Sequence, residues 1–191
     1  MNSDVLQRFE EHVAYEGDLP FAWTPLPQPP GEAELARCFE SSLTVLGVAA
    51  ARDERHRAEN AEDGVPPPEL AWIDAKLNLL LELVGTLLAR ERALPPARAV
   101  RLNAYGIAWE DAAAAPAPGT HGIVALHLDA CPAVPLRLPG RVAALVPGDP
   151  RRVVLFRELP APLQEAIERL VFRDHRRRVA GARQAARVDA S

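Results

Sequence analysis

The stretch VRLNAYGIAW, residues 100–109, decides how this chain is read. Val100 and Leu102 alternate with Arg101 and Asn103, a period of two that belongs to a half-buried strand. Asn103-Ala104-Tyr105-Gly106 is a turn signal, and beyond the glycine Ile107 and Trp109 resume the alternation. Upstream lies a leucine-rich helical pattern closed by Leu94-Pro95-Pro96. Downstream, short apolar runs are punctuated by Gly and Pro. The chain therefore changes from helix to sheet at this point.

The sheet continues up to the prolines at 160 and 162. In HGIVALHLD, Val124, Leu126 and Leu128 face one way, and His121, Ile123, Ala125, His127 and Asp129 the other. PLRLPGRVAALVPGDPRRVVLFREL supplies two or three more strands, broken at Pro139-Gly140 and at Pro147–Pro150. Short strands at this spacing predict a small antiparallel β-barrel or sandwich. Pro160 and Pro162 open a closing amphipathic helix buried through Leu163, Ile167, Leu170 and Val171. Arginines 173, 176, 177 and 178 crowd its last turns, where positive charge suits the helix dipole.

Two helices are expected before the sheet. Leu35, Phe39, Ser42, Leu46 and Ala49 follow 4-3-4-3 spacing, widened by Cys38 and Val45. The second runs from about Glu69 to Arg92, a rod of roughly 36 Å, with the seam Ile73, Leu77, Leu80, Val84 and Leu87. A strict period of 3.5 is a coiled-coil signature. Leu70, Leu81, Leu83 and Leu88 spread the apolar surface beyond one stripe, so this helix wants a second partner. The expected class is α+β: an extended N-terminal segment 1–31, a two-helix heptad oligomerisation region 32–94, a barrel with its closing helix 97–180, and a flexible tail 181–191.

Composition narrows function. Apolar residues at 48% and charged residues at 25% are ordinary for a folded domain, so wholesale disorder is excluded. The net charge of −4 hides a gradient, −9 over residues 1–70 and +5 over 150–191. The basic end lacks interleaved aromatics beyond Phe172 and the whole chain is acidic, so nucleic acid is not an expected partner. The N-terminus has no apolar h-region and the leucine-rich run is too short and interrupted to span a bilayer, so a cytoplasmic location without membrane insertion is expected. Cys38 and Cys131 lie in no metal-ligand spacing.

Catalytic chemistry finds little footing. His121, His127, Asp129 and Cys131 would share one strand face, with the two histidines roughly 20 Å apart. They cannot meet at one metal without a fold-back, so neither a metal centre nor an enzyme built on His127, Asp129 and Cys131 is expected. No phosphate-cradling glycine loop and no nucleophile elbow occurs.

The order of helices, barrel with a glycine turn after its first strand, and Arg-rich helix resembles PilZ domains, the bacterial receptors for cyclic di-GMP. VRLNAYGIAW resembles their first-strand segment, LQEAIERLVFRDHRRR their closing helix. LPFAWTPL with the two heptad helices looks like the atypical, helix-extended branch, in which added helices drive tetramer formation. The family motif is an R-x-x-x-R loop followed by D/N-x-S-x-x-G. With Gly106 as the motif glycine, Asn103 takes the serine position and Arg101 the acidic one, and the candidate nucleotide-contacting residues are Arg98, Arg101, Asn103 and Gly106. Arg98 and Arg101 stand three apart and do not make R-x-x-x-R; Arg137 and Arg141 have that spacing but lie beyond the first strand. Losing an arginine fork forfeits about 1.5–3 kcal/mol per charged hydrogen bond. The resemblance thus implies a non-catalytic, self-associating tetramer in cyclic di-GMP-linked control of motility, biofilm or virulence. It would act through other signalling proteins, without a cofactor and without cyclic di-GMP bound in the usual mode. A receptor with an altered site using Arg98, Arg101, Asn103, Arg137 and Arg141 is the alternative.

Overall fold

The computed structural model describes residues 2–60, 72–73, 75–77, 79–80, 83–84, 94–110, 116–144, 150–157 and 159–188. Besides helical residues between 72 and 84, these elements follow in order among the described residues: α1 (Asn2–Glu11), β1 (Tyr15–Leu26), α2 (Glu32–Asn60), β2 (Ala97–Asn103), β3 (Gly106–Glu110), β4 (His121–Leu126), β5 (Leu136–Val142), β6 (Arg151–Phe156) and α3 (Ala161–Val188). The six strands close into an antiparallel barrel in the order β1-β2-β3-β6-β5-β4. Closure pairs every strand on both sides along at least part of its length.

The barrel begins at Tyr15, which corrects the expected start at 97. Residues 15–20 of β1 pair with β2 and residues 21–26 pair with β4. Leu19, Phe21 and Trp23 carry a period-two pattern, but Pro20 and Pro25 hide it, because proline demotes a strand. Each half of β1 has its own single neighbour, and such half-open positions tolerate proline.

Residues 2–11 are also helical rather than extended. α1 is only ten residues long, below the length at which an isolated helix holds in water, so it depends on docking.

The interior is filled by the alternate residues that face inward, among them Val100, Leu102, Ile107, Trp109, Val124, Leu126, Leu136, Leu138 and Val154. α2 adds Val45, Leu46 and Ala49 to this core, and α3 adds Leu163, Ile167 and Val171. The α2 stripe therefore covers the barrel rather than serving a helix-only seam, which corrects the expectation of a separate region 32–94. Ser42, fully buried in that stripe, fixes the register. Its Oγ donates to the Arg137 carbonyl at 2.8 Å and accepts from the Arg137 N–H at 3.0 Å.

α3 starts on the Pro160 carbonyl, which accepts from the N–H groups of Leu163 and Gln164. It continues to Val188, beyond the expected end at 180, through the strong helix formers of ARQAAR. Residues 189–191 lie outside the described residues.

Of the expected second helix, the described residues between 72 and 84 are helical. The seam residues Ile73, Leu77, Leu80 and Val84 are 56%, 51%, 58% and 51% exposed, and Trp72, Leu79 and Leu83 are equally open. Leu87 lies outside the described residues. No helix among the described residues is long and apolar enough to cross a membrane.

Candidate functional site

The β2–β3 hairpin carries the motif positions. Its turn has no positive φ, so it is not one of the usual primed hairpin turns. It is held instead by Asn103, whose Oδ1 accepts from the Tyr105 N–H at 2.9 Å. The carbonyl of Tyr105 in turn accepts from the Phe156 N–H.

Gly106 is required by space, not by backbone freedom. A Cβ there would stand 2.6 Å from the Val154 carbonyl oxygen and 3.3 Å from the Phe9 ring.

The outer face of this hairpin is occupied by α1. Phe9, with no exposed surface, sits among Ala108, Ala143, Val153 and Leu155, flanked by Val5, Leu6 and Tyr105. The last carbonyls of α1, which lack partners within the helix, are taken by the two motif side chains. Asn103 Nδ2 donates to the Phe9 carbonyl at 2.9 Å. The Arg101 guanidinium donates to the carbonyls of Phe9, Glu10 and His12 at 3.1, 3.0 and 3.2 Å. It also pairs with Glu10 at 3.4 Å and Glu16 at 3.7 Å and lies over the Phe9 ring. Arg151 closes the clasp on Glu10 at 2.9 Å. Positive charge at a helix C-terminus is favourable.

The other sequence-marked residues do not join this group. Arg98 is three residues from Arg101 on β2, so the two leave opposite faces of the strand. The helix α1, which receives Arg101 and Asn103, was missed by sequence reasoning, although Val5 and Leu6 stand at helical i−4 and i−3 spacing from Phe9 in an otherwise polar decapeptide.

His127 is spent on the Pro132 carbonyl, its Nδ1 lying 2.7 Å away. His121 and His127 stand at opposite ends of β4, and no group of three or more His, Cys, Asp or Glu is gathered among the described residues.

A cleft of about 450 Å³ lies between α2, α3 and the barrel mouth, over Leu19, Leu102 and Leu128. Its charged rim is largely paired internally: Arg52 donates to the Asp129 carbonyl, and Asp53 binds Arg173 and Arg177. Tyr15 in this cleft is pushed above the usual phenol range by burial first and then by Asp174 and Asp129, so it keeps its proton. Burial likewise raises the Cys38 thiol, opposed by Arg137. Neither is an activated nucleophile.

What stands is a closed barrel wrapped by helices, with a glycine hairpin whose outer face is covered by α1. A model of the atypical PilZ domain, described as a cyclic di-GMP receptor, matches residues 45–184. The chain belongs to the atypical PilZ family. Among solved structures, a pathogenic protein from Xanthomonas campestris superposes with a TM-score of 0.72 at 29% identity, covering 89% of this chain and 92% of that one. That protein is described as a tetrameric PilZ domain self-assembled via an unusual helical bundle. A comparison with curated proteins gives no match.

Proposed function

We propose that this chain is a non-catalytic regulatory protein of cyclic di-GMP-linked signalling, working in the cytoplasm through protein partners and not through nucleotide bound in the usual mode. One observation carries the reading: Arg101 and Asn103, the residues at the motif positions, spend their hydrogen bonds on the C-terminus of α1. A nucleotide on that face would have to displace the helix and find an arginine where the family pattern has an acid or amide. Motility, biofilm or virulence control is the class of output that the family implies.

Self-association is the second part of the proposal. The helical residues from Trp72 to Val84 expose apolar side chains over more than one face, a surface that a lone chain in water pays to hydrate. A tetramer built through these helices would cover them, as the assembly described for the Xanthomonas protein does through a helical bundle. Opposite charge at the two ends of the chain is met within one copy, where Arg151, Arg173, Arg177 and Arg178 pair with Glu10, Asp53 and Glu16.

The deciding experiment is calorimetric titration of the full chain with cyclic di-GMP at physiological salt. No heat of binding is expected. Micromolar binding that disappears on Arg98→Ala or Arg101→Ala would establish the altered-site receptor instead.

A further inference from the structure

A second basic group lies on the barrel wall, beyond Leu155 and Ala143, which receive Phe9 of α1. His121 on β4 and Arg141 on β5 are directly opposed in the ladder, so their side chains leave the same face. Arg157, just after β6, is bonded through its N–H to the Pro139 carbonyl, which brings it alongside that pair. Arg101, Arg151, Arg173, Arg177 and Arg178 all reach carboxylates. Arg141 and Arg157 reach none among the described residues.

Arg141 is also pre-oriented. Its Nε donates to the Gly119 carbonyl at 3.1 Å, which leaves the two terminal nitrogens of the fork for another acceptor. The loop beneath is rigid: the Gly119 N–H donates to the Val142 carbonyl and the Val142 N–H to the Thr120 carbonyl. Gly119 has a φ of 88°, and a Cβ there would press on the Arg141 guanidinium at 3.1 Å. His121 is partly exposed, with a buried Nδ1 that has no partner. Burial, then Arg141 and Arg157, hold its pKa down, so the ring sits in the positive field of those two arginines.

From this arrangement we infer that His121, Arg141 and Arg157 form a binding site for a phosphate dianion, free or as the monoester of a small metabolite. Two guanidinium forks match two negative charges, and their planar donors fit phosphate oxygens. A monocarboxylate would leave one fork unmatched. The site lies two strands from the motif hairpin and shares Arg141 with the altered-site alternative, but His121 and Arg157 belong to it alone, so a loss of phosphate binding in Arg157→Gln is distinguishable from a loss of cyclic di-GMP binding.

The test follows the His121 ring resonances by NMR while inorganic phosphate, glycerol 3-phosphate or chloride is added at matched ionic strength. Saturable shifts with phosphate, a rise in the His121 pKa and no saturation with chloride are expected. Equal affinities for the two phosphates would identify free phosphate as the ligand; a tighter monoester would identify an organic phosphate. Arg141→Gln and Arg157→Gln should each weaken binding by about tenfold to a hundredfold, and Arg176→Gln on α3 should leave it unchanged. Arg157 has no side-chain partner among the described residues, so its variant reports on the ligand even where Arg141→Gln disturbs the loop. A chloride response equal to that of phosphate, an absence of saturation, or unchanged affinity in Arg157→Gln would overturn the assignment.

Discussion

The side chain of Asn103 donates to the main-chain carbonyl of Phe9 at 2.9 Å, and neither residue is open to solvent, at 2% and 0% exposure. A position that a PilZ-type motif would turn toward a ligand is here turned toward the chain's own N-terminal helix. The same carboxamide holds the hairpin turn through Tyr105, so one side chain sets both the turn and the helix upon it.

Asn103→Ala should therefore act at two places. It strands the Tyr105 N–H and leaves the Phe9 carbonyl to Arg101 alone, for a loss of about 1–3 kcal/mol in urea unfolding, the cost of leaving a buried group unsatisfied. Phe9→Ala should act more locally. A ten-residue helix that loses its one fully buried anchor detaches and unfolds, while the barrel core does not include it. Trypsin should then cut at Arg8 many times faster, with the main thermal transition retained. Unchanged proteolysis in Phe9→Ala would show that the arginine clasp alone holds α1.

Gly106→Ala should destabilise the fold by about 1–3 kcal/mol, the usual cost of overpacking. The obstacle is the Val154 carbonyl on the neighbouring strand, which cannot swing aside as a side chain could. Gly47→Ala, with open space around its Cβ position inside α2, is the control and should unfold at or slightly above the wild-type midpoint.

Much of the barrel was legible because its strands obey a period of two: Val100 and Leu102, Val124 and Leu126, Leu136 and Leu138 all point inward as their spacing requires. β1 was not, since Pro20 and Pro25 look like loop residues until the half-and-half pairing of that strand is seen. α1 was legible in part: Val5, Leu6 and Phe9 mark an apolar helical stripe, but the receptor that holds so short a helix, made by Arg101, Asn103 and Ala108, is far away in sequence and leaves no record in local periodicity. Gly106 was placed correctly at the hairpin but for the wrong cause, because a turn glycine and a close-approach glycine are written with the same letter. The stripe of α2 was visible, yet spacing alone did not say that it faced a barrel and not another helix.

Acid should weaken the fold through His121. Its pKa is lowered in the folded chain by burial first and by Arg141 and Arg157 next. The unfolded chain then binds the proton more readily, so stability is full above the unfolded value of about 6.5 and falls as pH drops through the depressed folded value. His121→Gln should flatten that part of the stability–pH curve without altering stability above neutrality. Urea midpoints measured across the acid range would check this, and an unchanged slope in the variant would assign the acid limb to other groups.

The exposed helix gives the last prediction. Leu77 and Val84 are each 51% exposed, so charging them removes little from the fold of a single chain. In an assembly they would lie in an apolar seam, where two carboxylates per copy must be desolvated without partners. The double variant Leu77→Asp, Val84→Asp should therefore keep the wild-type circular dichroism and lose the oligomeric mass, falling to a monomer of 20.8 kDa by light scattering. Val13→Asp, which charges an exposed apolar residue between α1 and β1, separates the seam from apolar exposure in general and should leave the mass unchanged. An oligomer that survives the double variant would place the interface elsewhere than on the seam.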